Sequence, residues 1–207
     1  MDFDFNDQEI GKRMFPNGCN ICHSDVEFKS YMEAFGNDKD RYVYICSNSS
    51  CGAYTIAHNE TLGDAIKYMP QGILASVELR SVHDALRYKF NQLWQQKKID
   101  GICHDFVLSF TAPSGDTMYG KVHALDKENK LYTIITETED VFNVPINMTR
   151  KVDSRTRSYF WLATMLKIPM RHCQIPMFNY EQTSGAYDIV VAALKDVDVE
   201  NLDSITK

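Results

Sequence analysis

Nowhere in its 207 residues does the chain carry an apolar run near the roughly 20 residues a membrane-spanning helix needs. Catalytic signatures are missing too: there is no H-E-x-x-H, P-loop, G-x-G-x-x-G or serine elbow. The zinc-deaminase pattern fails, because Pro16 stands three positions before Cys19 and no H-x-E precedes it. Positive charge is not in excess. A net charge of -6 argues against a protein that coats nucleic acid non-specifically, while leaving room for a local basic face. Internal repeats and low-complexity tracts are absent. The start, Met1-Asp2-Phe3-Asp4-Phe5, is acidic where a secretory signal would be basic and then apolar, so an intracellular protein is expected.

What is present is a globular composition, 44% hydrophobic and 24% charged, long enough for one domain or one domain with a small insert. Its organising stretch runs from Cys19 to Cys51. Cys19 and Cys22 form a C-x2-C pair, Cys46 and Cys51 a second pair, and the residues between alternate polar and apolar. Two thiolates on each turn, brought together across a hairpin, make a closed four-sulfur shell for one structural zinc ion. Pro16-Asn17-Gly18 before the first pair and Gly52 after the second are turn formers that let both loops fold back and aim backbone amides at sulfur. Two disulfides or four buried thiols are the alternatives, and a reducing compartment disfavours the disulfides.

Along the chain, Val26-Glu27-Phe28 and Arg41 through Ile45 read as strands joined through 36–40, and Ala53 through His58 as a third. A helix is expected over 74–96, with Leu79, Val82, Leu86, Phe90 and Leu93 on one face. Four strand-like runs follow, at 106–110, 118–122, 131–135 and 141–144, with turns at 113–116 and 126–129; they suggest a small antiparallel barrel or curled sheet. Ser154 can cap a helix over 155–166 with Tyr159, Leu162, Ala163 and Leu166 inward, and Pro169 closes it. Asn179-Tyr180-Glu181-Gln182 has capping-box spacing and opens a last helix carrying Ile189, Val190, Ala193 and Leu194 inward; the chain beyond Lys195 is expected to fray.

The order C-x2-C, Ile45-Cys46, Cys51-Gly52-Ala53-Tyr54, His58, Leu74-Ala75, Glu78-Leu79-Arg80 and Leu93-Trp94 resembles a zinc-finger-containing domain family of phage and prophage proteins. Ser154-Arg155, Tyr159 through Ala163, Ile168, Cys173 and Met177-Phe178 are similar to that family's C-terminal segment, so the resemblance covers about 15–97 and 153–194. It implies the four cysteines as zinc ligands, a setting in the host cytoplasm, and no particular activity. Gln174 and Arg87 stand where histidines are expected. The expected division is a 1–14 arm, a 15–97 zinc-finger lobe and long helix, an inserted 98–152 β module, a 153–195 helical part and a 196–207 acidic tail. The fold class is α+β, a four-cysteine hairpin lobe packed on about three helices with the module inserted.

Among other candidates, His58 suits either a ligand's place in exchange for a cysteine or a hydrogen bond to a thiolate, though histidines so placed more often satisfy backbone groups. His23, beside Cys22, faces solvent on this reading. Cys103-His104 and His172-Cys173 are better read as small buried thiols beside ordinary histidines than as nucleophilic pairs or a second metal site; Cys103 and His104, as neighbours on a strand, point to opposite faces. Arg150, Lys151, Arg155, Arg157, Lys167 and Arg171 face only Asp153 as a local acid. At a helix start, Arg150, Lys151, Arg155 and Arg157 suit phosphates, and Tyr159, Phe160 and Trp161 offer stacking, although Trp161 is expected to be largely buried. A solvated face is the plain alternative. The function expected is binding of nucleic acid or of a host protein, without membrane contact and with zinc structural; the alternatives are an enzyme acting on nucleic acid or nucleotides, and a virion or assembly component.

Overall fold

The structure, a computed structural model, describes residues 16–37, 39–58, 68–103 and 105–205, with side chains through Asp196. The proposed 1–14 arm and His104 lie outside them. Among the described residues there are five α-helices and two antiparallel sheets, so the fold is α+β. Contacts divide the chain into two compact units, one holding the cysteine lobe through Ala85 with Gln174–Ser184, the other Leu86–Cys173 with the chain from Gly185. These boundaries differ from the compositional ones at 97/98 and 152/153. No helix among the described residues is long and apolar enough to cross a membrane.

In the first unit, β1 (Val26–Ser30), β2 (Tyr42–Cys46) and β3 (Tyr54–Ile56) pair in sequence order. The register sets Val26 opposite Cys46 and Phe28 opposite Tyr44. Where a plain loop joins the strands in the sequence reading, the chain inserts α1 (Tyr31–Phe35). Its signal is Ser30-x-x-Glu33: the Glu33 N–H donates to Ser30 Oγ at 3.2 Å and the Ser30 N–H to Glu33 Oε2 at 2.9 Å, a capping box that fixes the first turn. α2 (Val77–Gln95) begins later than its apolar pattern implies, because Ala75 is held in a bridge to Tyr54 and Ser76 Oγ accepts the Leu79 N–H. Leu79, Leu86, Phe90 and Leu93 are buried as the period requires, but Val82 is half-exposed and His83 takes the buried place beside it. His83 Nε2 lies 2.8 Å from the Phe178 carbonyl oxygen.

In the second unit, the short helix α3 (Ile99–Ile102) precedes β4 (Val107–Thr111), β5 (Thr117–Asp126), β6 (Leu131–Ile135) and β7 (Val141–Pro145). A 3-10 turn at Ile146–Met148 then returns the chain to β8 (Thr149–Lys151) beside β4, giving the order β7-β6-β5-β4-β8. The four strand-like runs of the sequence are present as β4 to β7, and β8 is a three-residue addition to them. Leu108, Phe110, Ile134 and Val144 form the core of this sheet. Gly120 sits where a Cβ would overlap the Ile134 side chain, so the close approach of β5 to β6 needs glycine.

α4 (Ser154–Leu166) is capped by Asp153 rather than Ser154: the Asp153 carboxylate accepts the Thr156 N–H at 2.7 Å, and Ser154 is already helical. Leu162, Ala163 and Leu166 point inward as expected, whereas Phe160, 2% exposed, is buried more deeply than the half-buried Tyr159. α5 (Tyr180–Ile205) opens on the predicted capping box, with Asn179 N–H to Gln182 Oε1 and Gln182 N–H to Asn179 Oδ1 both at 2.9 Å. Expected fraying beyond Lys195 is corrected, since the helix continues to Ile205. Val190 and Leu194 are buried; Ile189 and Ala193 are half-exposed.

Candidate metal centre and basic face

Two turns and the end of one strand bring the cysteines together. In the first turn the Cys19 N–H donates to the Ser24 carbonyl at 2.8 Å and the His23 N–H to the Cys19 carbonyl at 2.9 Å, with His23 in the left-handed region at φ 61°. In the second, the Cys51 N–H donates to the Asn48 carbonyl, the Cys46 N–H to the Ala53 carbonyl, and Gly52 takes φ 59°, a conformation glycine adopts without cost. Cys46 ends β2 opposite Val26, and the sulfurs pack against Tyr44, Ala53, Ala57 and Leu74.

The geometry fits one tetrahedral ion. Cys19 and Cys51 sulfurs are 3.7 Å apart, those of Cys22 and Cys46 3.4 Å, and all four lie within 4.8 Å of one another. A tetrahedral zinc site with bonds of about 2.3 Å sets its sulfurs about 3.8 Å apart. All four cysteines are free thiols, and these separations far exceed the ~2 Å of a disulfide. Each of three cysteines receives a backbone hydrogen bond from two residues onward: Ser24 to Cys22, Asn48 to Cys46 and Ala53 to Cys51, all favouring the thiolate.

Hydrogen bonds with the side chain and backbone of Ser24 pull the Cys22 thiol down to about 6, whereas burial pushes Cys46 up to about 12. Near neutral pH the sulfurs alone therefore ionise unequally, and a divalent cation among them is what makes four thiolates compatible in one place. Four sulfurs fill a tetrahedron and leave no position for water, so an ion here has a structural role. No other group of three or more ligating side chains is clustered among the described residues.

His58 is half-buried just past β3; its backbone pairs with Met69 and Tyr68, and among the described residues its ring makes no hydrogen bond to the sulfurs. The sulfur cluster is thus complete without it. His23 is exposed, as expected. Cys103 and Cys173 are buried, and burial raises both thiols, aided at Cys173 by the Glu137 charge; a thiol raised in this way is a poor nucleophile. Glu137 in turn accepts the Met170 N–H at 2.7 Å.

The basic residues are dispersed over several partners. Arg157 is ion-paired with Asp100, a partnership that sequence separation hides. Arg155 is exposed, its guanidinium carbon 5.8 Å from the Trp94 ring centroid and 6.0 Å from that of Tyr159. Lys151 is exposed on β8 with its ammonium 5.7 Å from the Phe106 ring, and Arg150 is exposed beside it. The α4 N-terminus, read as an anion seat, already holds the Asp153 carboxylate, whose pKa is lowered chiefly by the Thr156 backbone. Trp161 is half-buried. His172 is buried beside Arg171, whose Nε lies 3.1 Å from His172 Nε2.

The family model of a zinc-finger-containing domain matches residues 15–135. It extends past the expected end at 97 and takes in β4, β5 and β6 of the strand-rich segment. Searches of curated proteins and of solved structures return no match. With more than half of its length matched, and with four sulfurs arranged for one structural zinc ion, the chain belongs to the zinc-finger-containing domain family.

Proposed function

We propose that this zinc-stabilised protein is a phage-type accessory factor of the host cytoplasm that binds single-stranded nucleic acid, with the metal structural. The observation that carries the reading is the pairing of exposed cations with aromatic rings in the second unit, Lys151 with Phe106 and Arg155 with Trp94 and Tyr159; Arg150, next to Lys151 on β8, points to the opposite face of the sheet and is left out of the set. Cations track phosphates, and exposed ring faces stack on bases whatever the sequence. Phe106, 45% exposed, has the face to spare. Arg157 is left out of the contact set because Asp100 engages it.

Titration with short single-stranded DNA and RNA at several salt concentrations tests this. Two phosphate contacts, at Lys151 and Arg155, give a log-log salt slope of roughly -1.4, at about -0.7 per contact. Charge reversal at Lys151 and Arg155 should weaken binding across all sequences, and Phe106→Ala should weaken it without changing the slope. No binding at micromolar protein and low salt would dispose of the reading. A host protein is the second reading, favoured by Phe28, Met32, Phe35 and Tyr42, all exposed on the cysteine lobe.

A further inference from the structure

We propose that a groove bordered by α3, α4 and α5, within the second unit, is a docking site for a basic amphipathic helix of a partner protein. The groove encloses about 430 Å³. Its long wall is a stripe of α5, Ile189, Ala192, Ala193 and Asp196, at the i, i+3, i+4, i+7 spacing of one helix face. The opposite wall is Trp161 and Met165, one turn apart on α4, and Gly101 and Ile102 of α3 complete the lining. Depth comes from small residues: Ala192, Ala193 and Gly101 stand where larger side chains would fill the space.

A helical occupant follows from this shape, because a furrow between helices takes the ridge of another helix. Met165, 51% exposed, is a side chain that repacks readily around an apolar partner. The sign of the partner follows from charge. Among the described residues Asp196 is the only ionisable one that lines the groove, and in sequence Asp198, Glu200 and Asp203 follow it toward the helix end, where the backbone dipole also favours cations. Lys195 is one position off the stripe. A second copy of this chain would bring the same acidic segment and a net charge of -6 to the contact, so a cationic partner is the better complement. The groove shares none of its lining residues with the cation–ring pairs of Lys151 with Phe106 and of Arg155 with Trp94 and Tyr159.

The probe is a labelled helical peptide of about 14 residues, some 21 Å long, with leucines at i, i+3, i+4 and i+7 and lysines alongside, read by fluorescence anisotropy against zinc-loaded full-length protein. Saturable binding is expected, about tenfold weaker when glutamate replaces every lysine, and about tenfold weaker with Asp196→Lys. Ala192→Phe, at an exposed position, should abolish it by filling the groove, while Arg155→Glu should leave it unchanged. Circular dichroism and zinc content establish that each variant is folded, and Asp196→Lys carries the test if Ala192→Phe is not. Equal binding of the acidic peptide, equal binding of a scrambled basic peptide, or indifference to Asp196→Lys would each overturn the proposal. So would a concentration-dependent dimer that Ala192→Phe disperses, since the groove would then belong to a second copy.

Discussion

The three-stranded sheet closes over Tyr44, Ala53, Ala57 and Leu74 together with cysteine sulfurs, whereas the five-stranded sheet closes over Leu108, Phe110, Ile134 and Val144. In the first, much of the core is thiol, contributed by Cys19 and Cys46. In the second, large carbon side chains meet across consecutive hairpins, with Phe110 and Phe142 rings 5.2 Å apart. One sheet is thus held by a metal that can be withdrawn, the other by apolar area that cannot. Structural zinc in small fingers contributes on the order of 10–16 kcal/mol of apparent binding free energy, as much as a typical domain's whole stability.

Removing the ion should therefore split the molecule's behaviour. A strong chelator, or Cys46→Ser, is expected to abolish amide-exchange protection across 19–57 while protection persists across 107–151. Metal analysis of the untreated protein should return about one zinc per chain. Equal loss of protection in both sheets would mean that the sheets fold as one unit, and a metal-free protein that keeps both would remove zinc from the account.

The complementary break excises the second sheet. The Asp100–Arg157 ion pair joins residues on either side of it, so a short linker in place of 104–151 has little distance to cross. The shortened chain should still bind one zinc; failure to do so would place the strands in the core of the zinc lobe and end the division at 97/98 and 152/153. A milder form is Ile134→Ala. Ile134 is fully buried, and truncating such a side chain costs roughly 2–5 kcal/mol. The denaturation midpoint should fall with zinc content unchanged.

Much of this contrast is legible in the sequence, for physical reasons that differ by region. The cysteine spacing exposes the metal site because coordination dictates both ligand type and turn geometry. Short runs of β-branched and aromatic residues between turn formers expose β4 to β7. Three-residue β8 has no period to detect, and α1 hides behind strand-like neighbours unless Ser30 and Glu33 are read as a capping box. The Asp100–Arg157 pair and the groove beside Trp161 depend on tertiary approach, so residue order alone does not reveal them. His83 was missed because an apolar stripe leaves no place for a histidine that meets a carbonyl.

The smallest expected effect lies at Asp153, where stability and binding pull in opposite directions. As the α4 cap it accepts the Thr156 N–H, and replacing a capping aspartate with alanine typically costs about 1 kcal/mol. Its folded pKa lies below the ordinary carboxylate value, with the Thr156 backbone the main cause. The charged cap therefore contributes fully above about pH 5, and the contribution declines as pH falls through the ordinary value, near 3.9, toward the folded one. Asp153→Ala should lower stability at pH 7, with the gap to the parent closing in acid. Asp153→Asn keeps an acceptor for Thr156 and should lose only the pH-dependent part. Because the same carboxylate stands beside Arg155 at the helix start, Asp153→Asn should also tighten nucleic-acid binding by removing a like charge from the approaching phosphate. Parallel pH-dependent denaturation and low-salt titration of the two variants separate the effects: weaker binding by Asp153→Asn would show that phosphates do not approach α4.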